Sequence, residues 1–206
     1  MSPQSGDNSG ACVRPEELDG ILEFLRAAER LKTMTRSGWT SLGHPESVAE
    51  HTWRLALMAM VLYGREPGID LARLLRMCLI HDLGEAIGGD VPAPAQEAAP
   101  GKAAREREDL LQLLRPLPER ISREIIALWD EYEAADTAEA RLAKGLDKLE
   151  TILQHTQGLN PADFDYAFNL GYGRQYTGTD AVLSALRARL DEATARRAEA
   201  GRGGPS

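Results

Sequence analysis

Apolar positions spaced three and four apart, rather than alternating ones, run through most of this chain. The first run opens at Pro15 and sets Leu18, Ile21, Leu22, Leu25 and Ala28 on one stripe, predicting a helix with that stripe inward. It gives way to Thr35-Arg-Ser-Gly-Trp39 and on to His44-Pro45, read as a loop. A second helix is predicted from Ser47, with Glu50 three residues on. That pair is a capping box, in which each side chain accepts a backbone N–H the helix leaves free. The helix should run to about Tyr63 and stop at Gly64. A third starts near Asp70 and carries Leu71 through His81-Asp82. Glycines and prolines in residues 84–101 rule out long regular structure there. Helical periodicity resumes over 103–115, 118–133, 138–157 and 180–198, and no alternating run specifies a strand. The pattern predicts an all-α fold, a single-domain helical bundle over residues 15–199. The polar tails 1–14 and 200–206 are expected to be disordered.

Composition supports this picture. Of the 206 residues, 43% are hydrophobic and only 5% aromatic, which favours helices in one soluble domain. The net charge of −8 repels nucleic-acid backbones, so no polymer of that kind is expected as a partner. A small phosphorylated substrate stays possible, because a local cation can reverse the field within a cleft. Cys12 in a polar tail and Cys78 in an apolar run give no disulfide framework. No basic-then-apolar leader opens the chain, and no apolar stretch reaches the roughly 18 residues of a membrane span. The expected location is cytoplasmic, with no membrane partner.

The polar residues that interrupt the core stripes carry the chemistry. At about 100° per residue, His51 falls in line with Leu55, Met58 and Leu62. Alone, it would be read as a hydrogen-bonded core histidine. The pair His81-Asp82 alters that reading. Asp82 continues the stripe Leu71, Leu75, Cys78, and His81 lies beside Leu74 and Met77. A buried carboxylate without a cation costs several kcal/mol. A divalent ion answers that cost, and imidazole with carboxylate suits Co, Mn, Fe, Ni or Zn. Asp147 sits on the flank of the stripe Leu142, Leu146, Leu149, Leu153, equally placed for solvent or for the interior.

The order His51, His81-Asp82, Asp147 resembles the signature of the HD superfamily of metal-dependent phosphohydrolases. The segments Pro-Glu-Ser-Val-Ala-Glu-His (45–51), His-Asp-Leu-Gly-Glu-Ala-Ile-Gly-Gly-Asp-Val (81–91) and Leu-Asp-Lys-Leu-Glu (146–150) are similar to its 5′-deoxynucleotidase branch. The likeness extends over residues 18–155. It implies a metal site made by His51, His81, Asp82 and Asp147, filled by Co, Mn, Mg, Fe, Ni or Zn. It also implies an acidic catalytic or second-metal residue at Glu85, and an Asp90 that orients water and contacts substrate. Arg36 and Trp39 would grip the phosphate and pack on the sugar. The implied activity is hydrolysis of (deoxy)nucleoside 5′-monophosphates by a metal-bound water, in a protein that forms a homodimer. The chemistry is coherent in itself. Metal lowers the pKa of bound water, Arg36 can bind two phosphate oxygens, and Trp39 offers a flat face. Lys102 is a further candidate for phosphate, with an ordinary surface lysine as the plainer reading.

The sequence also departs from this branch. Eleven residues separate Trp39 from His51, a shorter stretch than relatives carry and one without their Arg-Asn pair. This bears on the placement of Trp39 and on deoxy against ribo selectivity. After Asp90, Val-Pro-Ala-Pro-Ala-Gln lacks the Thr and Lys of some relatives. Residues 163–176 hold five of the eight Phe and Tyr residues. With Arg174 they could line a base pocket; packing beneath a C-terminal helix is the favoured reading. His155 projects about 80° from Asp147 and is a poor fellow ligand; His44 is expected in solvent. Other readings are the same chemistry on a specialised nucleotide, a di-iron oxygenase, a non-catalytic metal-stabilised module, and hydrolysis of alarmones or cyclic dinucleotides. Residues 83–146 hold none of the histidines the oxygenase needs.

Overall fold

The computed structural model describes residues 13–91 and 101–202. Cys12, most of the predicted N-terminal tail and the proline-rich segment after Val91 lie outside these, as do residues 203–206. The elements in order are α1 (Leu18–Ala28), β1 (Thr35–Trp39), β2 (Pro45–Ser47), α2 (Val48–Tyr63), α3 (Leu71–Ile80) and α4 (Glu85–Gly88). After the break come α5 (Lys102–Leu113), α6 (Glu119–Ala134), α7 (Ala138–Gln157), the short α8 (Phe168–Gly171) and α9 (Arg174–Thr177), and α10 (Ala181–Arg202). The last helix passes the predicted domain end at residue 199.

The long helices form where the apolar periodicity places them, and their ends follow capping chemistry. Ser47 accepts the Glu50 N–H at 3.2 Å while the Glu50 carboxylate accepts the Ser47 N–H at 2.7 Å, closing the predicted box. Asp70 caps α3 and Thr137 caps α7 through their side chains. Helix α7 is the axis of the bundle, with α2, α3, α6 and α10 packed around it. Leu142, Leu146, Leu149 and Ile152 of α7 are buried against Leu55, Leu74, Met77, Tyr132 and Leu183. A second apolar cluster joins Leu31, Val48, Leu83, Leu110, Leu114 and Trp129, with Ile21 and Phe24 of α1 against it.

Two local features differ from the expectation. The first is α1, whose Leu18, Leu22 and Leu25 are exposed while Ile21, Phe24 and Ala27 face the second cluster. Gly20 sets this orientation: a Cβ there would stand 2.1 Å from the Pro116 carbonyl oxygen. The helix rolls toward the neighbour that only a glycine admits, and a hydrophobic stripe carries no trace of that contact. The second is the segment read as a loop, which forms an antiparallel hairpin pairing Thr35 with Ser47 and Trp39 with Pro45. Its strands are short, with an irregular register and one face on α7, so burial does not alternate. Gly38 is buried there, and a Cβ on it would touch Gln154 at 3.0 Å.

Asp180 gives a stability prediction. One oxygen accepts the Tyr63 hydroxyl at 2.6 Å and the N–H groups of Val182 and Leu183 at 2.8 and 3.0 Å. Burial raises its pKa, but Tyr63 and those backbone donors outweigh that and hold it below the ordinary value. The contribution is therefore present above the unfolded carboxylate pKa of about 3.9 and fades as pH falls through the lower folded value. Asp180→Ala should destabilise by about 1 kcal/mol near neutrality. Denaturant melts should show the gap from wild type closing below about pH 4.

Candidate metal centre

The seam between the two apolar clusters is where the polar residues collect. His51 lies on α2 between Val48 of one cluster and Leu55 of the other. His81 and Asp82 follow the last turn of α3, between Cys78 and Leu83, which again belong to different clusters. The Trp129 indole N–H donates to the His81 carbonyl at 3.1 Å and pins this turn. Asp147, whose helical flank left its burial open, is only 4% exposed and faces the same point.

Hydrogen bonds fix how the imidazoles point. His81 Nδ1 is 2.9 Å from the Cys78 carbonyl oxygen, which can only accept, so Nδ1 carries the proton. His51 Nδ1 bonds the Glu150 carboxylate, which Arg54 holds from the other side. Both Nε2 atoms are buried, and among the described residues neither has a hydrogen-bond partner. They converge on the carboxylates. His51 Nε2 stands 3.3 Å from Asp147 Oδ1 and 3.8 Å from Asp82 Oδ2. His81 Nε2 stands 3.1 Å from Asp82 Oδ2 and 4.0 Å from Asp147 Oδ1. Donors each about 2.1 Å from one ion stand roughly 3.0–3.4 Å apart, and the observed spacings begin in that range. Asp147 turns its other oxygen outward to Tyr132 at 3.1 Å and Lys148 at 2.8 Å, leaving Oδ1 to the histidines. The residues present fit a divalent cation.

The electrostatics agree. Burial and Arg36 depress the His51 pKa, but Glu150 and Asp147 outweigh them and lift it to about 9. Burial would raise Asp82, yet His81, Arg36 and His51 hold it well below the usual carboxylate range. Glu85 is pushed up to about 10 by burial, then by Asp82 and Asp90. Burial also raises Asp90, against Arg36. Arg36 donates to Asp82 and to Thr151, both at 3.1 Å, and its charge reaches Asp147, Asp90 and Glu85.

His81, Asp82 and Asp147 line a cavity of about 580 Å³ walled by α5, α6, α7 and the α8–α9 segment; His51, Arg36, Glu85 and Asp90 are not among its lining residues. Lys102 lies on this wall and pairs with Glu106 at 2.8 Å. Trp39 is not among the residues lining the cavity; its carbonyl bonds Gln154 at the far end of β1. His44 is exposed, and the buried His155 bonds Asn169 at 2.8 Å, away from the cluster. Periodicity alone did not assign functions to Glu150, Glu46, Lys148 and Tyr132. Glu150, one helical turn past Asp147 and on the same side of α7, was the legible one.

A family model described as an HD domain matches residues 28–187. The chain belongs to the HD-domain family. Among HD-domain relatives, human 5′-deoxynucleotidase HDDC2 is 38% identical over 139 residues, covering 66% of this chain and 67% of that protein. The Dictyostelium discoideum 5′-deoxynucleotidase HDDC2 is 37% identical over 145 residues, covering 66% and 76%. A crystal structure of a predicted metal-dependent phosphohydrolase from Magnetospirillum magnetotacticum superimposes with a TM-score of 0.74. It is 30% identical, covering 88% of this chain and 94% of that one.

Protons and cations compete for His51 Nε2, so metal affinity should weaken as pH falls below about 9. Titration calorimetry in buffers of different ionisation enthalpy should register proton release near neutrality. Glu150→Ala, which frees the His51 ring, should weaken Mn²⁺ or Co²⁺ binding about 10- to 100-fold against a competing chelator. Unchanged affinity would dismiss the orienting contact.

Proposed function

We propose that this protein is a metal-dependent phosphomonoesterase acting on nucleoside 5′-monophosphates, 2′-deoxy forms foremost, to give nucleoside and phosphate. One observation carries the reading. Two buried imidazole nitrogens, without hydrogen-bond partners among the described residues, face two carboxylates that line a cavity also presenting cations. The 5′-deoxynucleotidase relatives support the substrate class.

His51, His81, Asp82 and Asp147 would hold the cation. When bound, it polarises the phosphoryl group and makes water a better nucleophile. The chain's own residues supply the rest. Arg36, held between Asp82 and Thr151, presents a guanidinium that can bind phosphate oxygens and balance charge gathering on them. Lys102 adds a cation on the cavity wall. Asp90, close enough to Asp82 and Arg36 to feel their charge, would orient water and accept its proton. Glu85, whose carboxyl is pushed toward the protonated form by burial and then by Asp82 and Asp90, would pass a proton to the departing 5′-oxygen. The water oxygen bonds to phosphorus, the bond from phosphorus to the 5′-oxygen breaks, and that oxygen leaves as a hydroxyl. Trp39 lies at the end of the strand that carries Arg36 and does not line the cavity, so the sugar contact the resemblance implies for it is not part of this reading.

A homodimer belongs to the same reading. Trp53, Leu57, Met60 and Val61 form an exposed apolar row on α2, suited to a second copy of the chain. No helix among the described residues is long and apolar enough to cross a membrane.

Wild-type protein supplied with Co²⁺ or Mn²⁺ should release phosphate from a panel of deoxy- and ribonucleoside monophosphates. Asp82→Ala should lower kcat/KM more than about a hundredfold. Arg36→Lys, which loses the two-pronged contact, should lower kcat about a hundredfold. Phosphate release from none of the panel with any of these metals, or full activity in Asp82→Ala, would refute the reading. Light scattering should give twice the 22.5 kDa chain mass, and Val61→Glu should give the single mass.

A further inference from the structure

Residues 163–176, rich in Phe and Tyr, divide into two groups with different surroundings. Phe164 packs on His155, with ring centroids 4.8 Å apart, and Tyr166 packs on Phe164 at 4.9 Å. Those two rings are structural, and Arg174 turns away to Leu170 and Asp191. Phe168, Tyr172 and Tyr176 instead line the cavity that His81, Asp82 and Asp147 also line. Phe168 and Tyr172 stand 5.2 Å apart and are inclined by 33°, so they form a nearly continuous aromatic wall. Both are only partly buried, which leaves ring surface open to the cavity.

This wall is rigidly held and close to the cation site. Arg187, only 5% exposed, donates to the carbonyls of Tyr172, Asn169 and Leu170 at 2.6, 2.8 and 2.9 Å, tying the wall to α10. Gly173 has a φ of +68°, and a Cβ there would meet the Lys148 side chain at 2.6 Å, so the segment lies directly on α7. Lys148 bridges the two regions. Its ammonium is 2.8 Å from Asp147 Oδ2 and 5.3 Å from the centre of the Tyr172 ring. A substrate whose phosphate sits at the cation site therefore reaches the aromatic wall across the width of one lysine side chain.

We propose that the wall of Phe168 and Tyr172 is the seat of the substrate's planar heterocyclic base. The proposal rests on the phosphomonoesterase reading above and names where that substrate's leaving group lies. Aromatic faces take any base by stacking, which makes this a site of affinity for nucleotides as a class. A cavity of about 580 Å³ has room for a nucleoside. Because the wall touches no reacting atom, it binds ground state and transition state alike and acts through KM.

The test compares a deoxynucleoside monophosphate with deoxyribose 5-phosphate, which lacks the base, in the metal-loaded full-length protein. Tyr172→Ala and Phe168→Leu should raise KM for the nucleotide about 5- to 100-fold with little change in kcat. For deoxyribose 5-phosphate, the same variants should shift KM less than about threefold. Phe168→Leu keeps apolar volume while removing the flat ring, and carries the comparison if Tyr172→Ala proves unstable in a thermal melt. Equal losses on both esters, or an unchanged nucleotide KM in Phe168→Leu, would overturn the base site while leaving the phosphatase reading in place. Failure of the wild-type protein to hydrolyse any monophosphate would overturn both.

Discussion

The constraint beneath this structure is negative charge gathered where water is scarce. Asp82, Asp147, Glu150, Glu46, Glu85 and Asp90 crowd one seam of the bundle, and Arg36, Arg54 and Lys148 answer only part of their charge. Ionising all of them with no further cation would cost free energy comparable to the whole stability of an ordinary domain. Protons and divalent ions are alternative ways of meeting the deficit. The raised pKa values of Glu85 and Glu46 and the raised value of His51 all express that pull toward positive charge. The same pull suits the site to a metal and to the phosphoryl group that a metal attracts.

The bundle places this charge by making each ligand serve two masters. His51 and the His81-Asp82 turn both stand between residues of different apolar clusters, so neither cluster can shift without moving a ligand. Helix α7 supplies Asp147 to the centre, Glu150 and Thr151 to the groups around it, and Leu146 and Leu149 to the core in less than two turns. Ligand orientation then follows from ordinary hydrogen bonds. A backbone carbonyl selects the tautomer of His81, a carboxylate turns His51, and Tyr132 with Lys148 claims one oxygen of Asp147.

Much of this was legible in the residues. The long helices, the capping box at Ser47 and the inward placement of His51, His81 and Asp82 all follow from periodicity and capping chemistry. What escaped depends on contacts that a one-dimensional pattern does not record. The roll of α1 is set by a glycine against a distant carbonyl, and the hairpin by strands too short and too one-sided to alternate. Asp147 was evenly balanced between solvent and interior because the groups around it, His51, His81 and Tyr132, come from other helices that a pattern along α7 does not record. The aromatic stretch was read as a unit. In space, Phe164 and Tyr166 turn inward to His155 while Phe168 and Tyr172 face the cavity.

The hairpin has a consequence for how this chain can vary. Its paired ends are Thr35 with Ser47 and Trp39 with Pro45, and Ser47 is also the residue that starts α2. Arg36 and His51 are thus set by the base of the hairpin, whereas Thr40 and His44 close its tip through their own backbone bond. Residues gained or lost at the tip would be absorbed there, as a longer or shorter rope slackens without moving the posts that hold it. A change of length between Thr40 and His44 therefore leaves the base of the hairpin, and with it Arg36 and His51, where they stand.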